Sequence, residues 1–166
     1  MESPIELLEI RLARLDDIES VNAIQEKVLS SDHLYRYAEN IRHNGTMNLV
    51  ATVRGQVAGF ISVLVNQPNP SGQHLWERMR PYVGFIGISP EFQRCGIGQL
   101  LIKEASQKTL SGSRSSHIYL ECEKNTFEFY RRLGFIEMNQ EEVEMEFSMT
   151  PKSTVFRAHQ QTFGPG

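Results

Sequence analysis

Apolar and polar positions change their period along the chain, and each change indicates a new element. Apolar residues alternate from Leu8 to Leu12, which predicts a strand. They then recur at helical spacing from Ile18 to Val28, after Asp16 or Asp17 as a helix cap. The segment SSDHLYRYAENIRHNG predicts a second short helix.

The middle of the chain alternates short apolar runs with turns. MNLVATVRGQVAGFISVLV holds two β-rich runs around Arg54-Gly55-Gln56, which is typical of a hairpin. YVGFIGIS and HIYLECE predict strands, and IGQLLIKEASQKTL predicts a helix between them. NTFEFYRRLGF predicts a short helix that Gly134 can terminate.

The last segments are less regular. In EVEMEFSM, Val143, Met145, Phe147 and Met149 alternate with polar residues, which predicts a half-solvated antiparallel strand. Such a strand is compatible with a homodimer. No sustained period follows Thr150, so we divide the chain into a domain over residues 1–150 and a partly disordered tail over 151–166.

The element order β-α-α-β-β-β-α-β-α-β predicts an α/β fold, a mixed sheet with helices on its faces. A chain of 166 residues with a net charge of -3 offers no overall basic field for nucleic acid or anionic membrane. It lacks an apolar run of about 18 residues and a signal peptide, so we expect a cytoplasmic protein. Cysteine and histidine spacings match no metal motif, and no metal is expected.

The stretch GISPEFQRCGIGQLLIKEA joins a predicted strand to a predicted helix through Gly96 and Gly98. Unpaired backbone N–H groups at a helix start suit a phosphate. The P-loop pattern fails because Gly98 is followed by Gln99 where a lysine is required. The dinucleotide pattern fails because the third glycine is missing.

The turn matches the pattern Gln/Arg-x-x-Gly-x-Gly/Ala, from Gln93 to Gly98. On this basis the chain resembles the GCN5-related N-acetyltransferase (GNAT) superfamily, over roughly Ile10 to Met149. GQVAGFISV is similar to the family's central hairpin, and NTFEFYRRLGF to its last CoA-contacting helix. The resemblance implies a mostly antiparallel sheet, splayed between strands 4 and 5, with helices on both faces.

The resemblance also implies acetyl-CoA as cosubstrate, with its pyrophosphate in the turn and its pantetheine arm beside the fourth strand. Tyr130 is expected beside the thioester sulfur, and Asn125 as a helix cap that also contacts pantetheine. Cys95 holds a variable position of the motif, so we do not expect a nucleophile there. The residues expected to contact the cosubstrate are Phe85, Ile86, Gly87, Ile88, Gln93, Arg94, Cys95, Gly96, Ile97, Gly98, Asn125 and Tyr130.

Several family members carry, on the fourth strand, a Glu or His that takes the amine proton, and this chain lacks one there. RPYVGFIGIS contains no carboxylate and no histidine. In HIYLECE, Tyr119, Glu121 and Glu123 share one face of the predicted strand. The segment that follows resembles that of glucosamine-6-phosphate N-acetyltransferases, which implies an acceptor-side acid at Glu121. We predict that Glu121 acts through a water or holds the ammonium, with Tyr82 as relay; a surface carboxylate is the alternative.

These observations predict an N-acetyltransferase that moves an acetyl group from acetyl-CoA to a primary amine of a small molecule, by direct attack in a ternary complex. One alternative acceptor is a protein N-terminus or lysine. An alternative of another class is a non-catalytic acyl-CoA-binding regulatory module. We expect the loop from Asn66 to Arg80 and the second helix to shape the acceptor pocket.

Overall fold

The computed structural model describes residues 7–28 and 45–164, and the predicted second helix lies outside them. The strands are β1 (Leu8–Leu12), β2 (Thr46–Val53), β3 (Gln56–Leu64), β4 (Tyr82–Ile88), β5 (His117–Cys122), β6 (Ile136–Glu137) and β7 (Thr154–His159). The helices are α1 (Ile18–Val28), α2 (Leu75–Arg78), α3 (Ile97–Ser111), α4 (Phe127–Arg132) and α5 (Gln140–Phe147). Within these described ranges, no helix is both long and apolar enough to cross a bilayer.

The strands form an open mixed sheet of seven strands in the order β1-β2-β3-β4-β5-β7-β6. β1 pairs with β2, and β7 pairs with β5 and β6, all antiparallel. β4 and β5 run parallel, with Tyr82 opposite Tyr119. The helices lie around this sheet, so the predicted α/β class with a mostly antiparallel sheet is confirmed.

The chain divides into two compact units. The first comprises Met1–Val63 and Gly84–Ala105. The β2–β3 hairpin turns through Arg54 and Gly55, whose φ angles are 52° and 80°, as expected for a tight turn that needs left-handed backbone. The buried cluster of this unit contains Val21, Ile24, Val50 and Phe60.

Asp17 holds the entry to α1 through an ion pair with Arg11 and a capping hydrogen bond from the Arg14 backbone. It ends a short 3-10 turn, Leu15–Asp17. Its carboxylate accepts two hydrogen bonds from the Arg11 guanidinium, at 2.8 and 2.9 Å, and one from the Arg14 backbone N–H at 2.7 Å. Charge-assisted bonds of this fork geometry are stronger than neutral ones, so Asp17 ties β1 to the start of α1.

The second unit comprises Leu64–Val83 and Ser106–Gly166. Its buried cluster contains Leu75, Met79, Tyr119, Met138, Val143 and Val155. Tyr82, Phe147 and Met149 pack against that cluster while keeping part of their surface exposed. The cluster therefore packs apolar side chains around Tyr119 of β5 and Tyr82 at the start of β4.

The prediction of a strand over EVEMEFSM was wrong, because these residues form most of α5. The Asn139 side chain accepts a hydrogen bond from the Glu142 backbone N–H at 2.8 Å, and the Glu142 carboxylate accepts one from the Asn139 N–H at 3.1 Å. This reciprocal capping box starts a helix. Val143 is buried and Phe147 packs on the same core cluster, whereas Met145 is 85% exposed.

The expectation of no regular element after Thr150 was also wrong, because β7 lies there. β7 pairs with β5 along its whole length, from His159 opposite His117 to Thr154 opposite Cys122. Val155, Phe156 and Ala158 are all buried. Burial on successive positions removes the alternation by which a half-exposed strand is recognised.

Candidate active site

The strand-turn-helix of the first unit has the geometry of an anion cradle. After β4, a 3-10 turn at Pro90–Phe92 leads into the segment from Gln93 to Gly96. Arg94 and Gly96 adopt left-handed backbone, with φ angles of 64° and 83°. The Gln93 side-chain amide donates to the Ile88 carbonyl at 3.0 Å. Gln93 therefore braces the turn against the end of β4.

The start of α3 leaves backbone donors available in this turn. The Leu100 N–H bonds to the Gly96 carbonyl at 3.2 Å, so the N–H groups of Ile97, Gly98 and Gln99 precede the first intrahelical bond. The positive end of the helix dipole adds to their attraction for an anion. The Ile97 side chain is buried, which fixes the helix start in the core. These features fit a pyrophosphate.

Other residues predicted at this turn have more local partners. Arg94 is exposed. The Cys95 thiol lies 3.6 Å from the Gln93 carbonyl oxygen. Gly87 is required by packing, because an added Cβ would come within 2.7 Å of the Phe60 ring. Phe85, Ile86 and Ile88 are each half-buried along β4.

In the second unit, the structure brings together two of the residues predicted to carry the chemistry. The Tyr82 hydroxyl donates to the Glu121 carboxylate at 3.3 Å. The Ser153 hydroxyl donates to the other oxygen of the same carboxylate. Sequence reasoning missed Ser153, because it stands in a segment without a period and 32 positions beyond Glu121. Glu121 is thus oriented from both sides.

Tyr82 remains a protonated donor across the neutral range. Burial raises the pKa of its phenol above the ordinary value, and the charge and hydrogen bond of Glu121 raise that pKa further. The neighbouring Tyr130 contributes in the same direction. Tyr82 is therefore a hydrogen-bond donor to Glu121 and cannot act as a base by itself at neutral pH.

The other polar residues predicted on this face have different surroundings. Tyr119 is buried, and its hydroxyl donates to the Glu146 carboxylate of α5 at 3.0 Å. Glu123 lies beyond the end of β5 and is exposed. Of Tyr119, Glu121 and Glu123, only Glu121 has a side-chain hydrogen bond with Tyr82 among the residues that the structure describes.

Tyr130 is held by aromatic packing on α4. Its ring meets Phe129 and Phe135 edge-on, with centroids 5.1 and 5.9 Å apart. The helix ends as predicted at Gly134, whose φ is 96°, and the Phe135 N–H returns to the Tyr130 carbonyl at 3.1 Å. Within the described part of the chain, no protein group accepts a hydrogen bond from the Tyr130 hydroxyl.

The surroundings of Tyr130 keep its phenol protonated. Burial, reinforced by Cys122, raises the pKa of Tyr130 to about 12. Burial also raises the pKa of the Cys122 thiol above its ordinary value, against a hydrogen bond from Thr126 that lowers it. Both groups are therefore neutral at physiological pH.

The expectation that Asn125 caps this helix was wrong. Asn125 lies within a 3-10 turn, Lys124–Thr126, and Thr126 occupies the cap position of α4. The Asn125 side chain is exposed. Because Asn125 does not cap α4, any functional role of its side chain lies in contacts outside this turn and α4.

A cavity of about 650 Å³ opens within the second unit. Its walls are the loop after β3, the residues around α2, the segment before β5, Tyr119 of β5 and the end of α5. The lining residues are Val65, Asn66, Gln67, Pro68, Pro70, Arg78, Met79, Arg80, Gly112, Ser113, Arg114, Ser115, Tyr119, Glu146, Phe147 and Ser148. Part of the predicted Asn66–Arg80 loop thus borders a space large enough for a small molecule.

Solved structures of similar fold include several acetyltransferases. A Bacillus anthracis str. Ames protein assigned as a streptothricin acetyltransferase, in complex with acetyl coenzyme A, is 18% identical with a TM-score of 0.67, covering 92% of this chain and 98% of its own. A spermidine N-acetyltransferase chimera from Vibrio cholerae and hSSAT is 16% identical, with a TM-score of 0.66 and coverages of 95% and 98%. The ribosomal-protein-S18-alanine N-acetyltransferase of Escherichia coli is 16% identical, with a TM-score of 0.63 and coverages of 90% and 90%.

No curated protein sequence matches the chain. The family model of the acetyltransferase (GNAT) domain, by contrast, matches residues 16–154. That range includes the turn at the start of α3, the Tyr82–Glu121 pair and Tyr130. The chain therefore belongs to the GNAT acetyltransferase family.

Proposed function

We propose that this protein transfers an acetyl group from acetyl-CoA to the primary amine of a small molecule, by direct attack in a ternary complex. The observation that carries the proposal is the Glu121 carboxylate, held by the Tyr82 and Ser153 hydroxyls. Tyr130, the expected partner of the leaving thiol, lies close enough to affect the pKa of Tyr82. A proton acceptor and a donor thus belong to one group of side chains.

The turn from Gln93 to Gly98 is proposed to bind the pyrophosphate of acetyl-CoA through its backbone N–H groups. Left-handed backbone at Arg94 and Gly96 turns successive N–H groups toward one side, as in other anion-binding nests. The β4 residues Phe85 to Ile88 are proposed to offer backbone contacts to pantetheine. The similar Bacillus anthracis protein in complex with acetyl coenzyme A supports this choice of cosubstrate.

The amine must lose a proton in the reaction, and Glu121 is proposed to receive it. An alkylamine with a pKa near 10.4 is neutral in only about one molecule per thousand or so at pH 7. The Tyr82 hydroxyl already donates to Glu121. The Tyr82 oxygen can therefore accept the amine proton while the Tyr82 proton passes to the Glu121 carboxylate. Tyr82 then never needs to ionise, which agrees with its raised pKa.

The attack forms a bond between the amine nitrogen and the acetyl carbon, and the carbon–sulfur bond breaks to release the CoA thiolate. Tyr130 is proposed to donate a hydrogen bond to that sulfur as its charge develops. With the Tyr130 pKa near 12 and a thiol pKa near 8.5, full proton transfer would be roughly 5 kcal/mol uphill. Hydrogen bonding is therefore the proposed contribution, and solvent completes the protonation.

The cysteines do not favour an acetyl-cysteine intermediate. A thiol attacks as its thiolate, and burial raises the pKa of the Cys122 thiol next to Tyr130. Direct attack by the amine is the route that the arrangement supports. Among similar structures, the spermidine enzyme acts on a small amine, and the cavity of about 650 Å³ is large enough for a small acceptor.

Release of free CoA thiol across a panel of small amines and N-terminal peptides tests the proposal. We expect acetyl-CoA-dependent release with at least one small amine and little with peptides. Release with peptides alone would transfer the acceptor assignment to proteins. Tight CoA binding without release for any amine or peptide would support a non-catalytic acyl-CoA-binding module instead.

A further inference from the structure

The cavity of the second unit carries positive charge that no carboxylate offsets directly. Three of its lining residues, Arg78, Arg80 and Arg114, are arginines. No carboxylate among the described residues lies within ion-pair distance of any of them. The cavity also contains one carboxylate from the described residues, Glu146, whose oxygens are occupied by the Tyr119 hydroxyl at 3.0 Å and by Arg157 at 3.2 Å.

Arg78 has a structural role that keeps its charge at the wall. Its guanidinium donates to the Gly72 carbonyl at 2.7 Å, and to the Phe147 and Ser148 carbonyls at 2.9 and 3.0 Å. These neutral acceptors join the loop before α2 to the end of α5. They leave the formal charge of Arg78 without a counter-ion.

Arg80 has a hydrogen-bond donor that lacks an acceptor among the described residues. Its Nε–H is buried and has no acceptor within the described chain, although its guanidinium stacks over the Trp76 ring at 5.4 Å. A buried donor of a charged group without a partner is costly. The Trp76 ring covers one side of the guanidinium, and a planar guanidinium suits the bidentate recognition of a carboxylate or phosphate.

The cavity lies next to the groups assigned to the amine. Tyr119 lines the cavity, and Glu121 lies two residues further on β5, so the two side chains leave the same face about 7 Å apart. The Tyr119 N–H bonds to the Pro81 carbonyl at 3.0 Å. That bond anchors the Arg80–Tyr82 segment against β5. One small molecule could therefore reach both the arginines and Glu121.

We propose that the cavity binds a carboxylate or phosphate group through Arg80 and Arg114, and that the acceptor is a small amine carrying such an anion a few bonds from its nitrogen. The assignment of this anion to the acceptor rests on the proposed acetyltransferase function. The anion site itself does not. Acetylation should thus favour phosphoethanolamine over ethanolamine, and 4-aminobutyrate over butylamine.

Calorimetric titration of the CoA-saturated protein with inorganic phosphate tests the anion site without any reaction, because bound CoA occupies the turn from Gln93 to Gly98 that is proposed to hold its pyrophosphate. We expect the parent protein to bind phosphate and Arg114→Gln to weaken that binding by about tenfold or more. Arg114 is exposed, so its replacement should leave the fold intact. Arg80→Gln should weaken binding similarly, and Arg80→Lys, which keeps charge but loses the fork, should fall between. Arg132→Gln is the control, because Arg132 is exposed on α4 outside the cavity.

Kinetics with the matched acceptor pairs test the assignment to the acceptor. Arg114→Gln should raise KM for phosphoethanolamine by roughly tenfold, whereas Arg132→Gln, outside the cavity, should leave kcat/KM for phosphoethanolamine unchanged. Phosphate binding that is equal in the parent, Arg114→Gln and Arg80→Gln would overturn the anion site. Loss of phosphate binding in the variants of a protein that acetylates no amine would uphold the site and reject the proposed function. Equal preference within each acceptor pair would overturn the link to the acceptor.

Discussion

Tyr82 and Glu121 lie on neighbouring parallel strands, and the Tyr82 hydroxyl donates to the Glu121 carboxylate at 3.3 Å. Their strands are in register at Tyr82 and Tyr119, so the carboxylate is reached from a residue diagonal to it. Both side chains are half-buried, so an acid and a phenol lie together partly shielded from water.

Replacing Glu121 with Gln should slow acetyl transfer by roughly ten- to a hundredfold near pH 7. The amide keeps the hydrogen bond to Tyr82 but cannot accept the amine proton. The rate should recover partly at pH 9 to 10, where the amine loses its proton unaided. A pH–rate profile with the best acceptor of the amine panel measures both effects.

Glu123→Gln is the matched control, because Glu123 is exposed beyond the end of β5. Its profile should overlay that of the parent. If Glu121→Gln also overlays the parent at every pH, water is the proton acceptor and Glu121 has no part in the reaction.

Ser153→Ala should give a smaller version of the same defect. The variant removes one of two hydroxyls that orient Glu121 and leaves its charge in place. We expect a loss of kcat of about threefold to tenfold, the usual range for one hydrogen bond, with an unchanged pH at which the rate recovers. Restoration by Ser153→Thr would identify the hydroxyl as the source, whereas equal loss in both variants would indicate a packing effect.

Tyr130→Phe should lower turnover by roughly ten- to a thousandfold while CoA affinity stays nearly unchanged. The aromatic packing against Phe129 and Phe135 survives this change. Because the pKa of Tyr130 is raised to about 12, its phenol stays protonated up to that pH. The parent should therefore show no decline of kcat due to Tyr130 below about pH 11. Normal turnover in Tyr130→Phe would remove this hydroxyl from the mechanism.

Gly98→Glu should abolish CoA binding, because it adds bulk and negative charge at the start of α3. Isothermal calorimetry with CoA measures the loss, and circular dichroism checks the fold. Ser111→Glu adds the same charge to α3 about 20 Å away and should bind CoA like the parent. Unchanged CoA affinity in a folded Gly98→Glu protein would show that the phosphates lie elsewhere.

Asp17→Asn should lower the free energy of unfolding by about 1–3 kcal/mol at pH 7, since it breaks the fork with Arg11. The hydrogen bond and charge of Arg11 lower the pKa of Asp17 in the folded state. Its stabilisation is therefore present above the unfolded pKa, near 4, and is lost as pH falls through the folded value. Urea unfolding at pH 7 and pH 3 should show the difference from the parent shrinking, and the exposed Asp16→Asn should match the parent at both.

The local pattern of apolar and polar residues was sufficient to predict the elements that have one apolar face. The hairpin around Gly55 and the helix that follows Gly96 each combine a clear apolar pattern with a glycine whose backbone is left-handed. Glu121 could be nominated because alternate residues of a strand share a face. Tyr82 is brought to Glu121 by the register of two strands whose paired residues, Tyr82 and Tyr119, are 37 positions apart in sequence, and no local period carries that information.

The predictions for the last part of the sequence failed for two physical reasons. EVEMEFSM satisfies a strand period, yet Val143 and Phe147 are also four residues apart, and the capping box at Asn139 selects the helix. β7 is covered on both faces and flanked by two strands, so its sequence does not alternate. Ser153 was lost together with that strand, because a serine just before an unrecognised element has no distinguishing context.

The position of β7 fixes when the site can be completed during synthesis. A chain leaving the ribosome releases β5 and Glu121 well before β7, and a domain generally folds as a unit. Until residues 154–159 have emerged, β5 lacks its antiparallel neighbour and Glu121 lacks the Ser153 hydroxyl. The pair of hydroxyls proposed to orient the proton acceptor is therefore complete only after Ser153 and β7 have left the ribosome.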